Sequence, residues 1–71
     1  MSVIAVVLIP KYWDIMDAIY WIRDNGFKIY KIDISEDYYK FRQLDPDITK
    51  QYYTYDINDD IKFIIYHHSN I

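Results

Sequence analysis

The side chains best equipped for bond-making chemistry are Ser2, Ser35, Ser69, His67 and His68. A serine nucleophile needs a histidine base and a sharp turn that presents its hydroxyl beside an oxyanion hole, and no Gly-x-Ser-x-Gly turn is present. His67 and His68 are adjacent on an expected strand end, so alternation sends their rings to opposite faces and they cannot chelate one metal ion together. Asp45-x-Asp47 and Asn58-Asp59-Asp60 read as turn formers, lacking the repeated oxygen spacing and the glutamate of a calcium loop. A chain with one glycine cannot build a glycine-rich phosphate cradle. The expectation is a protein that is not an enzyme, with no catalytic residue, no metal, no cofactor and no small-molecule substrate. A domain of this size rarely encloses the ~300 Å³ or more that ligand sites occupy.

Contact chemistry is better represented. In Tyr38-Tyr39-Lys40-Phe41-Arg42-Gln43, strict alternation puts Tyr38, Lys40 and Arg42 on one strand face and Tyr39 and Phe41 on the other. One face suits a core, the other a partner. Rings can stack on bases while cations meet phosphates, so Lys28, Lys31, Lys40, Arg42 and Lys62 are candidate nucleic-acid contacts. Against that reading, the net charge is −3 and no cation cluster is denser than Lys28-x-x-Lys31 or Lys40-x-Arg42. The plainer alternative lays Lys40 and Arg42 over apolar surface with their heads in water, or pairs them with Asp33 and Asp56 across strands.

The elements that must position these residues follow from periodicity. Val3 to Ile9 is an apolar run ended by Pro10 and reads as a buried strand. From Tyr12 to Asn25, Ile15, Ala18, Ile19 and Ile22 form one helical stripe, with Asp14, Asp17 and Asp24 opposite. Trp21 falls on that acidic side, either as a rim tryptophan packed under the chain ends or as an interface anchor. Asn25-Gly26 stops the helix. Phe27 to Ile34 reads as a strand with two partly apolar faces, Ser35-Glu36-Asp37 as a turn, and Tyr38 to Leu44 as the next strand. Asp45-Pro46-Asp47 breaks it, Ile48 to Gln51 forms a single helical turn, and Tyr52 to Ile57 is extended again. Asn58-Asp59-Asp60 closes a hairpin onto Ile61 to His67. The first strand can pair parallel with the second through a right-handed crossover, or with the last.

Residues 1–71 therefore make one small α+β domain, with one helix on one face of a four- to five-stranded, mostly antiparallel sheet in the order β-α-β-β-β-β. At 52% hydrophobic residues the chain should fold, and with no cysteine its stability must come from packing or from a partner. Nine tyrosines exceed what one helix can shelter, so something else is expected to cover the second face. The N-terminal apolar run is shorter than the about 20 residues a membrane span needs and has no basic lead. An intracellular protein that does not engage a membrane is expected.

Asp17-Ala18-Ile19-x-Trp21-Ile22-x-x-x-Gly26-Phe27-Lys28, then Tyr39-Lys40-Phe41-Arg42-Gln43-x-x-Pro46 and the Ile61 to Tyr66 strand, resemble a group of short, largely uncharacterised proteins of large DNA viruses. The resemblance covers about two thirds of the chain. It implies a compact accessory or structural component of an infected cell, in the host cytoplasm or nucleus, or of a virion, with no activity attached. Tyr39, Phe41, Arg42, Gln43 and Pro46 are the matching positions. The group carries more basic residues around this strand and a glycine before the last one, where this chain has Asn58-Asp59-Asp60. The resulting expectation is an interaction or assembly module that binds a protein partner or itself, as a homo-oligomer, through Trp21, Tyr38, Lys40, Arg42 and Tyr53. Nucleic-acid binding on the open sheet face is the alternative.

Overall fold

The apolar N-terminal run becomes the middle of the sheet. In the computed structural model, which describes residues 1–68, the elements are β1 (Ser2–Pro10), α1 (Ile15–Asp24), β2 (Ile32–Ile34), β3 (Tyr38–Arg42), β4 (Tyr53–Asp56) and β5 (Lys62–His67). The five strands form one sheet in the order β2-β3-β1-β5-β4, every neighbour antiparallel. Of the two pairings open to the first strand, the last strand is the partner, joined by β3 on the other side. The α+β architecture with one helix is as expected. Among the described residues, no helix is long and apolar enough to cross a membrane.

Helix α1 is shorter than its periodicity suggests because its cap lies at Asp14. Trp13 N–H donates to the Pro10 carbonyl, closing a turn, and the extended Asp14 (φ −62°, ψ 138°) accepts from the Met16 amide at 2.9 Å. That bond satisfies one of the helix's unpaired N-terminal amides, and Asp17 adds negative charge in the first turn. At the other end Gly26 takes φ +79°, a conformation in which the Phe27 amide returns to the Ile22 carbonyl. Ala18 and Ile22 are fully buried, and Ile15 and Ile19 pack beside them.

Register explains the core. On the helix-covered side one row crosses all five strands as Ile32, Phe41, Val7, Phe63 and Tyr55. Phe41 and Val7, at its centre, have no exposed surface. Ile9 and Tyr39 form the neighbouring pair, and Ile61 completes the cluster. A β-bulge between Ile4 and Val6 shifts the β1–β5 register, since Ile4 faces Ile65 while Val6 faces Ile64. Ala5 and Val6 both line the opposite side, and Ile4 still packs on the core.

Two segments depart from the alternation. Only Ile32–Ile34 of the expected Phe27 to Ile34 strand is paired. Residues 27–31 are held by a side chain instead: the Gln43 amide accepts from Lys28 N–H at 2.8 Å and donates to the Lys28 carbonyl at 3.0 Å and the Phe41 carbonyl at 3.3 Å. The Gln43 side chain thus copies the donor and acceptor of a neighbouring strand, while β3 ends two residues before Leu44, where the Gln43 and Leu44 amides both donate to the carbonyl of the bulge residue Ala5. The expected helical turn at Ile48 to Gln51 is a reverse turn, closed by Lys50 N–H to the Asp47 carbonyl. Asp47 accepts from both the amide and the hydroxyl of Thr49, at 2.9 and 2.6 Å, an arrangement that favours a turn over a helix. The 58–60 hairpin forms as expected, with Asn58 accepting from the Asp60 and Ile61 amides.

Candidate functional site

The face away from α1 is built by the same register. Its central row runs Asp33, Lys40, Leu8, Lys62 and Asp56 across β2, β3, β1, β5 and β4. The order is acid, base, apolar, base, acid. Leu8 is only 6% exposed although no helix lies over it, because it is flanked by the stems of Lys40 and Lys62. The next row is Arg42, Val6, Ile64 and Thr54, and Tyr38 lies beside Pro10 at the other end.

Ion pairs divide the cations of this face unequally. Lys62 donates to Asp56 at 2.7 Å, a bond that raises the lysine's pKa above its ordinary value. Arg42 reaches diagonally to Asp33 at 2.8 Å, taking the carboxylate that stands opposite Lys40. Lys40 is left as the cation of the row without an ion pair among the described residues. Of the alternative that pairs Lys40 and Arg42 with Asp33 and Asp56, the structure has Arg42 with Asp33, while Asp56 takes Lys62 and Lys40 pairs with neither.

Beside these groups lies a groove of about 460 Å³. Its floor is Ala5, Val6 and Ile64; Asp33, Lys40 and Arg42 form one wall; Leu44, Pro46 and Tyr52 form the other. The bulge makes the floor, since it turns two consecutive small residues to the same side. The 43–52 connection makes the second wall. Tyr52 packs edge-on against Tyr66 at 5.8 Å, Lys50 lies 5.3 Å from the Tyr66 ring centre, and the Tyr52 hydroxyl accepts from the Asp47 amide. The volume is larger than the chain's length suggests and lies within the range of ligand sites.

The sequence-derived contact residues are not all brought together. Tyr38, Lys40 and Arg42 share the open face, as alternation requires, each half-buried. Tyr53 faces the other way: it pairs with Ile65, on the side of Tyr55 and Phe63, and sits 5.6 Å from the His67 ring. Trp21 is half-buried and stacks on Phe27 at 6.1 Å, which meets Phe63 edge-on at 5.5 Å. It packs at the rim, where the helix meets the sheet. Of the candidate nucleic-acid contacts, Lys40, Arg42 and Lys62 are on the open face, whereas Lys28 and Lys31 lie in the segment before β2. The Lys28 ammonium is 6.0 Å from the Tyr30 ring.

Sequence reasoning missed Val6, Ile64, Leu44 and Tyr52 as groove residues. Only the bulge and the path of the 43–52 loop reveal them, and no local signal marks either. It also missed a serine–histidine contact: Ser2 Oγ and His67 Nδ1 lie 3.0 Å apart at the exposed end of β1 and β5. Their register partnership accounts for it. No family model matches this chain, and no curated protein or solved structure matches it either.

Proposed function

We propose that this chain is a non-enzymatic interaction module that binds a segment of a partner protein in the groove of its open sheet face. The observation that carries this reading is the groove itself, apolar along its floor, with a lysine that has no ion pair among the described residues and a singly engaged guanidinium on one wall. Such a site suits an extended segment that presents an apolar or aromatic side chain next to a carboxylate. The apolar part would displace water from Val6, Ile64 and Tyr52, and the carboxylate would meet Lys40 and Arg42. Tyr38 continues the contact along β3. The resemblance to short accessory proteins of large DNA viruses supports the same reading, because a contact role is what such components need, inside an infected cell or a virion.

Nucleic acid is the less favoured occupant because two of the three cations that the strands place on this face, Arg42 and Lys62, already hold carboxylates. Selection of peptides from a random library on the immobilised protein tests the proposal. The expected winners carry a hydrophobic residue beside Asp, Glu or the C-terminal carboxylate, shift the amide resonances of Val6, Lys40 and Ile64, and lose affinity at least ten-fold against Lys40→Glu. Enrichment without that motif, or shifts confined to the helix side, refutes it. Retardation of short DNA or RNA at tens of millimolar salt would replace it with the nucleic-acid reading.

A further inference from the structure

The edge of β4 carries a second and independent contact surface. We propose that two copies of this chain pair antiparallel along β4, joining their sheets into one. The hairpin fixes which backbone groups are available. Ile57 N–H bonds to the Ile61 carbonyl, so the hydrogen-bonded positions of the β4–β5 ladder are 57, 55 and 53. Thr54 and Asp56 therefore turn their amides and carbonyls outward, in the spacing a second antiparallel strand requires.

Edge strands are usually blunted by lysine, proline, a bulge or a covering element. Among the described residues Tyr53-Thr54-Tyr55-Asp56 has none of these, and only its four-residue length and Asp56 blunt it. Its one charge, Asp56, is compensated by Lys62, so little repulsion opposes a second copy. The helix does not reach this edge either: all four residues are exposed, Tyr53 and Tyr55 at 46% and 58%, on the side that α1 covers over the middle of the sheet. The opposite edge differs, since β2 has three residues and is flanked by the segment that Gln43 holds.

In the register that pairs Thr54 of one copy with Asp56 of the other, the two Tyr55 rings meet on the two-fold axis in a close, non-hydrogen-bonded position. Asp56 then faces threonine rather than a second aspartate. Such a strand pair is self-complementary and closes as a dimer. The surface is small, so the association is expected in the micromolar range or weaker.

Sedimentation of the full chain over a wide concentration range tests this. Thr54→Pro removes only an outward amide and should leave the ladder to β5 intact, as proline is tolerated at that position of an edge strand. Tyr55→Lys places like charges on the axis and serves if the proline variant does not fold. The expected result is a concentration-dependent dimer, weakened at least ten-fold by either change and unaffected by Ile34→Pro on the other edge. A wild-type chain that stays monomeric at millimolar concentration overturns the proposal, as does a dimer that survives both β4 changes or is lost in Ile34→Pro.

Discussion

Replacing Gln43 by glutamate should destabilise the fold far more than its near-identical shape suggests. Gln43 is 8% exposed, and its Nε2 donates to the carbonyls of Lys28 and Phe41 while its Oε1 accepts from the Lys28 amide. Gln43→Ala removes the two shorter bonds, each with a net worth of about 0.5–1.5 kcal/mol, so a loss of about 1–3 kcal/mol is expected. Gln43→Glu keeps the acceptor but turns an anionic oxygen toward two carbonyls, and the desolvation of that charge should bring the cost to about 3 kcal/mol or more at neutral pH. For a 71-residue chain, whose total stability is of the order of 4–11 kcal/mol, this is a large share. The introduced carboxyl should titrate above its unfolded value of about 4.3. Below that pH the variant is protonated in both states and least impaired; the deficit then grows as pH rises toward the folded-state value. Urea denaturation at pH 4 and pH 7 reads the difference, and amide exchange at Lys28 reads the contact directly. A glutamate variant as stable as the parent at pH 7, or an unchanged Lys28 exchange rate in Gln43→Ala, refutes the reasoning.

Phe41→Ala removes the fully buried ring beside Val7 in the five-strand row and should cost about 3–5 kcal/mol, visible as a lost or sharply lowered urea midpoint. Arg42→Ala should cost less than about 1 kcal/mol in the same assay, because Asp33 is substantially exposed and surface-type pairs contribute little; a double-mutant cycle with Asp33→Ala isolates that coupling. Hydrogen bonds from the Thr49 hydroxyl and amide hold the Asp47 carboxyl below the ordinary carboxylate range. The turn is accordingly favoured above pH about 4 and loses that support as pH falls through the lowered value. Thr49→Val should move the Asp47 titration, followed by carbonyl resonances, back toward the ordinary range.

What was legible in the sequence was what a single period could carry. The alternation of Tyr38 to Arg42 assigned each side chain to its face, the stripe of α1 identified Ala18 and Ile22 as core, and Asn25-Gly26 and Asn58 to Asp60 marked their turns. Each signal is local and has one physical solution. The bulge was not legible because Val3 to Ile9 is apolar at every position, so a register shift leaves no trace in the pattern. Residues 27–31 alternate well enough for a strand, yet a glutamine from elsewhere takes both backbone groups of Lys28. Helical position puts Trp21 on the acidic side of α1, and its packing depends on Phe27, as that of Tyr53 depends on the edge position of β4, which only the three-dimensional arrangement fixes.

The position of β1 bears on how this protein is made. As the ribosome delivers the chain, the stretch that ends up innermost emerges before any of its neighbours, and it must wait for Tyr38 to Arg42 on one flank and Lys62 to His67 on the other. Two later hairpins close around it like a clasp. Until the second one is complete, a water-averse ribbon stands exposed to aggregation during translation, so the nascent chain should rely on chaperones until Lys62 to His67 has emerged.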